Sequence, residues 1–160
     1  MTGGVRLAAL AAMLALPLAT PPQPARAGCL IFCPKNDEVP AARAAQTFAR
    51  VLGQPLPKGV IVLGMIDGGF QDRFIQVKLR ATDAGAVAVL AALGVAPAAM
   101  GPMDGRQTTI NPAAWWDIDT RPDLRGTDAR LAGFPYAFAA RARDPADPAR
   151  WLVYVLAFQT

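Results

Sequence analysis

The last strand-forming segment puts the tightest constraint on the fold. From Trp151 to Phe158 the chain reads Trp-Leu-Val-Tyr-Val-Leu-Ala-Phe. Side chains alternate across a strand, so Trp151, Val153 and Val155 share one face while Leu152, Tyr154, Leu156 and Phe158 share the other. Both faces are apolar, and a sheet with one wet face needs apolar side chains on one side only. The segment is therefore expected to be a central strand covered on both sides. Helices can cover one side. The stretch from Val95 to Gly133 and its tryptophans are expected to cover the other.

The remaining elements fit one α+β domain. Asn36 or Asp37 is placed to cap a first helix whose opening turn holds Glu38 and Pro40. Its apolar stripe runs through Val39, Ala42, Ala45, Phe48, Ala49 and Leu52 to a stop at Gly53. Val60 to Ile66 reads as a buried strand, and Asp67-Gly68-Gly69 as a turn. Next, Ile75, Val77 and Leu79 alternate with Gln76, Lys78 and Arg80, which predicts a strand with one core face and one wet face. Thr82 is expected to cap a second helix over Asp83–Leu93, with Val87, Leu90 and Leu93 facing inward and Gly94 ending it. Val95 to Gly133 shows no sustained period and reads as one long irregular loop. Tyr136, Phe138 and Ala140 begin a further strand, joined to the final one through Asp144-Pro145-Ala146-Asp147-Pro148. The expectation is a four-stranded, mainly antiparallel sheet of two hairpins, with two helices on one face.

The N-terminus carries a different signal. Arg6 precedes a twelve-residue apolar run, Leu7 to Leu18. That run is short for a bilayer span and right for the apolar region of a secretory leader. Prolines at 21, 22 and 24 follow, then Ala25-Arg26-Ala27, which fits small-x-small cleavage. Residues 1–27 are expected to be a signal peptide, leaving a single domain over 28–160, a periplasmic location and no stable membrane span after processing. A second route ends at Cys29, where Ala27-Gly28-Cys29 resembles a lipoprotein site. In that route the chain is lipid-anchored through Cys29.

Cys29 and Cys33 are the only cysteines. In an oxidising compartment such a pair is expected to form a disulfide that closes a small loop. Three residues separate them and Pro34 follows, which departs from the two-residue spacing of redox-active pairs.

What is missing narrows the chemistry. The chain has no histidine and no serine. Serine–histidine and cysteine–histidine nucleophilic sites lack their base, and imidazole-based zinc or haem sites lack their ligand. The formal charge is +4. Arg6 and Arg26 would leave with the leader, so about +2 remains, spread along the chain, and no nucleic-acid partner is implied. No cofactor is implied either. Asp117, Asp119 and Asp128 fall at positions 1, 3 and 12 of a calcium-loop spacing, but Pro122 stands where that loop needs glycine. Met100 and Met103 offer soft ligands without an accompanying histidine.

One constellation remains as a candidate ligand surface: Trp115, Trp116, Asp117 and Asp119. An exposed indole beside carboxylates suits stacking on a sugar or peptide, whereas two buried indoles would clamp the long loop to the sheet. The sequence thus leads to a small exported, non-catalytic envelope protein, a binding or accessory module whose partner is an unidentified envelope protein or glycan. The alternative is an enzyme acting on an envelope glycan, with Asp117 or Asp119 paired to another acid across a cleft.

Overall fold

The computed structural model describes residues 38–69, 72–103 and 108–159. Strands β1 (Val60–Gly68), β2 (Phe74–Ala81), β3 (Gly101–Pro102), β4 (Arg125–Asp128), β5 (Tyr136–Asp144) and β6 (Asp147–Phe158) form one sheet, and the helices are α1 (Ala41–Leu52) and α2 (Asp83–Ala92). The sheet order is β1-β2-β6-β5-β4-β3, and every neighbouring pair is antiparallel.

The α+β class and the two hairpins are as expected, but the sheet has six strands rather than four. The additional pair, β3 and β4, lies inside the stretch read as irregular. These strands carry no apolar alternation, because they are short and held by backbone pairing at the sheet edge. Gly126 shows why. A Cβ there would meet Met103 Sδ at 2.3 Å and the Ala139 carbonyl oxygen at 2.9 Å, so a bare backbone is what lets Met103 pack. A strand that needs glycine for packing leaves no periodicity to read.

β6 is central, paired to β2 on one side and β5 on the other. Its two faces feed two separate cores. On the first face Val153, Val155 and Ala157 pack with Ile75, Val77 and Leu79 of β2 and with Phe48, Val89 and Leu90 of the helices. On the second face Leu152, Tyr154 and Leu156 pack with Phe138, Met103, Trp116 and Ile118. Burying each such large apolar side chain contributes roughly 1.5–3 kcal/mol. The expected two-sided burial is therefore present, and residues of the 95–133 stretch supply the cover of the second face.

That cover overturns the expected wet face of β2. Gln76 and Lys78 are buried there, at 0 % and 8 % exposure. The Gln76 amide is clasped from above: its Nε2 donates to the Asn111 carbonyl at 2.7 Å, and its Oε1 accepts from the Asn111 N–H at 3.1 Å.

The helices differ from expectation in their caps and in their buried stripes: in α1, Ala42 and Ala45 are exposed, and Ala44 is buried with Phe48. Pro40 is the N-cap of α1, and its carbonyl accepts from the N–H groups of Arg43 and Ala44. Asn36 and Asp37, the expected caps, lie outside the described residues. Glu38 instead bridges to Ile66 on the edge of β1, with the Val39 N–H donating to the Met65 carbonyl at 2.8 Å. Ile61, on that edge strand, is 52 % exposed, so β1 is less buried than its apolar run suggests. Thr82 caps α2 as expected, its Oγ1 accepting from the Gly85 N–H at 3.0 Å. Ala86, Val89 and Leu90 face inward, however, and Val87 is exposed. An almost wholly apolar helix leaves its inward stripe undetermined, and the close approach to the sheet selects the face carrying Ala86 and Gly85.

Cys29, Cys33 and residues 1–27, the expected leader, also lie outside the described residues. No described helix is long and apolar enough to cross a membrane.

Candidate functional site

The segment over the second face is anchored by its tryptophans. Trp116 is buried, edge-on to Tyr154 with ring centroids 5.3 Å apart, and its Nε1 donates to the Thr108 carbonyl at 3.0 Å. Trp115 is half-buried, edge-on to Trp116 at 5.8 Å, and its Nε1 donates to Glu38 Oε1 at 2.8 Å. The Trp115 ring lies over Gly64 of β1, where a Cβ would come within 2.2 Å of it. Gly64 sits at an irregularity in the β1–β2 register. Both indoles therefore fasten the segment to the sheet, one at its centre and one at its β1 edge.

Asp117 sits at the hub of a polar cluster. Its Oδ1 accepts from Lys78 Nζ at 2.6 Å and from the Tyr154 hydroxyl at 2.8 Å. Its Oδ2 accepts from Arg121 Nη2, and Arg121 Nε donates in turn to the Tyr154 oxygen at 3.2 Å. Burial and the nearby Arg121 guanidinium lower the Lys78 ammonium to about 8, with Asp144 pulling the other way. Burial also pushes the Tyr154 hydroxyl up, against the opposing pull of Arg121. Four groups from β2, β6 and the covering segment thus satisfy one another, as buried charge requires.

Comparison with family models, with curated proteins and with solved structures finds no match for this chain.

Asp119 is separate from the hub. Its carboxylate accepts from the hydroxyls of Thr108 and Thr109, the latter at 3.0 Å. It lines a groove of about 560 Å³ together with Arg121, Asp123, Leu124, Arg125 and Met103. Of the four residues singled out in the sequence, Trp115, Trp116 and Asp117 form one contiguous cluster, and Asp119 faces the adjoining groove. Lys78, Tyr154 and Arg121 complete the cluster and were not singled out. Asp128 ends strand β4, and Asp119 lies in a separate turn of helix over 118–120, so Asp117, Asp119 and Asp128 do not share the single loop that the calcium spacing requires. Met100 belongs to the first core and Met103 to the second, which separates the two thioethers across the sheet.

Proposed function

We propose that this chain is a small exported, non-catalytic envelope protein, a binding or accessory module that works as a soluble periplasmic domain after loss of residues 1–27. The observation that supports the non-catalytic reading is the state of Asp117. Both of its oxygens are occupied by Lys78, Tyr154 and Arg121. A general acid or nucleophile of a glycosidase needs a free carboxyl opposite a second one, and this one is spent on holding the covering segment to the sheet. The groove beside it, with both signs of charge on its walls, is the surface offered to an envelope protein or glycan.

The enzyme alternative retains one supporting feature, since Asp119 and Asp123 line the same groove. One experiment separates the two readings. Purified mature protein is incubated with isolated peptidoglycan and other envelope polysaccharides, and released reducing ends are measured. The non-catalytic reading expects none above background. Release that disappears in Asp119→Asn or Asp123→Asn would establish the enzyme. Intact-mass measurement of the exported form tests the compartment: a chain beginning at Gly28 supports soluble release, and a diacylglyceryl adduct on Cys29 supports the anchored form.

A further inference from the structure

At the end of the sheet where α2 begins, three arginines gather around Trp151 and the β4–β5 pair. Arg125 of β4 stands directly opposite Arg141 of β5, and Arg143 stands opposite Trp151 of β6. The guanidinium carbons of Arg143 and Arg141 lie 3.7 and 4.4 Å from the Trp151 ring centroid. The indole is fixed from beneath, because its Nε1 donates to Asp83 Oδ1 at 2.7 Å.

These arginines are treated differently from the other cations of the sheet. Arg73, Lys78, Arg80 and Arg121 each face a carboxylate. Arg125, Arg141 and Arg143 form no ion pair with a described residue. Arg125 donates to the Met100 carbonyl, Arg143 Nη1 reaches the Pro148 carbonyl at 3.4 Å, and Arg141 Nε is buried without a hydrogen-bond partner. Two carboxylates lie at the margin of the group, each holding one of its members by a single oxygen: Asp83 Oδ1 accepts from the indole, and Asp123 Oδ2 accepts from the Arg143 backbone N–H at 2.7 Å.

Like charges directly opposite one another destabilise a sheet. A local rule broken with no compensating partner marks a position kept for function. Opposed residues stand about 5 Å apart and i, i+2 neighbours about 7 Å apart, a spacing within which two or three such side chains can reach a single tetrahedral anion. Guanidinium is the side-chain group that matches an oxyanion in paired hydrogen bonds.

We propose that Arg141 and Arg143, stacked on Trp151, form with Arg125, which stands opposite Arg141, a binding site for a phosphate group. The guanidiniums of Arg141 and Arg143 both stack on Trp151, and the anion supplies the ion-pair partner that the three arginines lack among the described residues. Arg141, Arg143 and Trp151 lie on the opposite face of the sheet from the tryptophan–aspartate cluster, while Arg125 of β4 also lines the groove at Asp119; the proposal does not rest on the non-catalytic reading.

The test is calorimetric titration of the mature protein with inorganic phosphate at matched ionic strength, chloride serving as the control. A parallel arm measures co-sedimentation with phosphatidic acid vesicles against phosphatidylcholine vesicles. The expected result is saturable binding in at least one arm. Phosphate binding identifies a soluble phosphate ester as the source, and binding only to phosphatidic acid identifies a lipid headgroup. Arg143→Gln, at an exposed position, should weaken that binding at least tenfold while lowering the thermal midpoint in chloride only slightly, by the loss of its exposed contact with Trp151. Arg141→Lys keeps the charge but removes the fork, and should weaken it several-fold. Binding no stronger than in the chloride and phosphatidylcholine controls would overturn the proposal, as would full retention in Arg143→Gln.

Discussion

Lys78 Nζ of β2 and Asp117 Oδ1 of the covering segment meet at 2.6 Å, and the two residues stand on elements that share no sequence proximity. The contact joins the sheet to its second cover. Asp117 also holds Arg121, so neutralising it strands two cations against an apolar core. Asp117→Asn should therefore destabilise the protein by about 2–3 kcal/mol, the lower part of the range for breaking buried pairs, because the carboxylate is partly exposed. Lys78→Met should cost less than about 1 kcal/mol, since Asp117 then keeps Arg121 and Tyr154. Urea denaturation of both variants checks the asymmetry, and equal losses would show that the pair works only as a unit.

The lowered Lys78 group gives stability a pH dependence of defined sign. In the unfolded chain the ammonium persists to its ordinary 10.5, whereas in the folded protein it is lost near 8. Between those values the unfolded state binds more protons, so stability should rise as pH increases from about 8 toward 10. Tyr154, raised by burial, acts in the other direction above its ordinary 10 and should end the rise there. Denaturation midpoints at pH 7.5, 8.5 and 9.5 measure the slope. Lys78→Met should flatten it, and an unchanged slope in that variant would assign the effect to another group.

The sequence shows the parts of this fold that follow from one strand at a time. Two apolar faces on Trp151–Phe158 imply two covers, and both exist. Gln76, Lys78 and Arg80 misled, because alternation looks the same whether the polar face meets water or a polar covering segment. The conflict becomes visible only in register, where Gln76, Lys78 and Arg80 stand beside Leu156, Tyr154 and Leu152. A polar face continuous with an apolar one cannot be simply wet. The Trp115–Glu38 hydrogen bond joins residues far apart in sequence, with no motif at either end. Asp117 could be singled out as a loop acid, but its role depends on three partners from three separate segments.

Gly64 and Trp115 offer a local test of how the cover is fastened. A Cβ at position 64 would fall inside the indole ring, so the ring must move. Gly64→Ala should cost about 1–3 kcal/mol, as overpacking does, and should shift tryptophan emission toward that of an exposed indole. In a Trp115→Ala background the same substitution should be nearly neutral, because the obstacle is gone. A full penalty in that background would place the strain in the β1 backbone instead.

The two cores make a prediction about β6 that no one-sided sheet would share. Val153 belongs to the core beneath the helices and Leu156 to the core beneath the covering segment, and both are fully buried. An aspartate at either site would be an unpaired buried charge, which costs several kcal/mol even after it takes up a proton. That is comparable to the whole stability of a domain of this size. Val153→Asp and Leu156→Asp should therefore both fail to give a cooperative thermal transition. The second variant is the decisive one. If Leu156→Asp unfolds with the wild-type midpoint, the segment bearing Trp115 and Trp116 does not seal the second face in solution. It would then behave as a lid over the sheet, with the Lys78–Asp117 contact opening and closing beneath it. Loss of folding in both variants instead makes the covering segment a structural layer of the domain, and leaves the groove at Asp119 and the arginine cluster at Trp151 as its free surfaces.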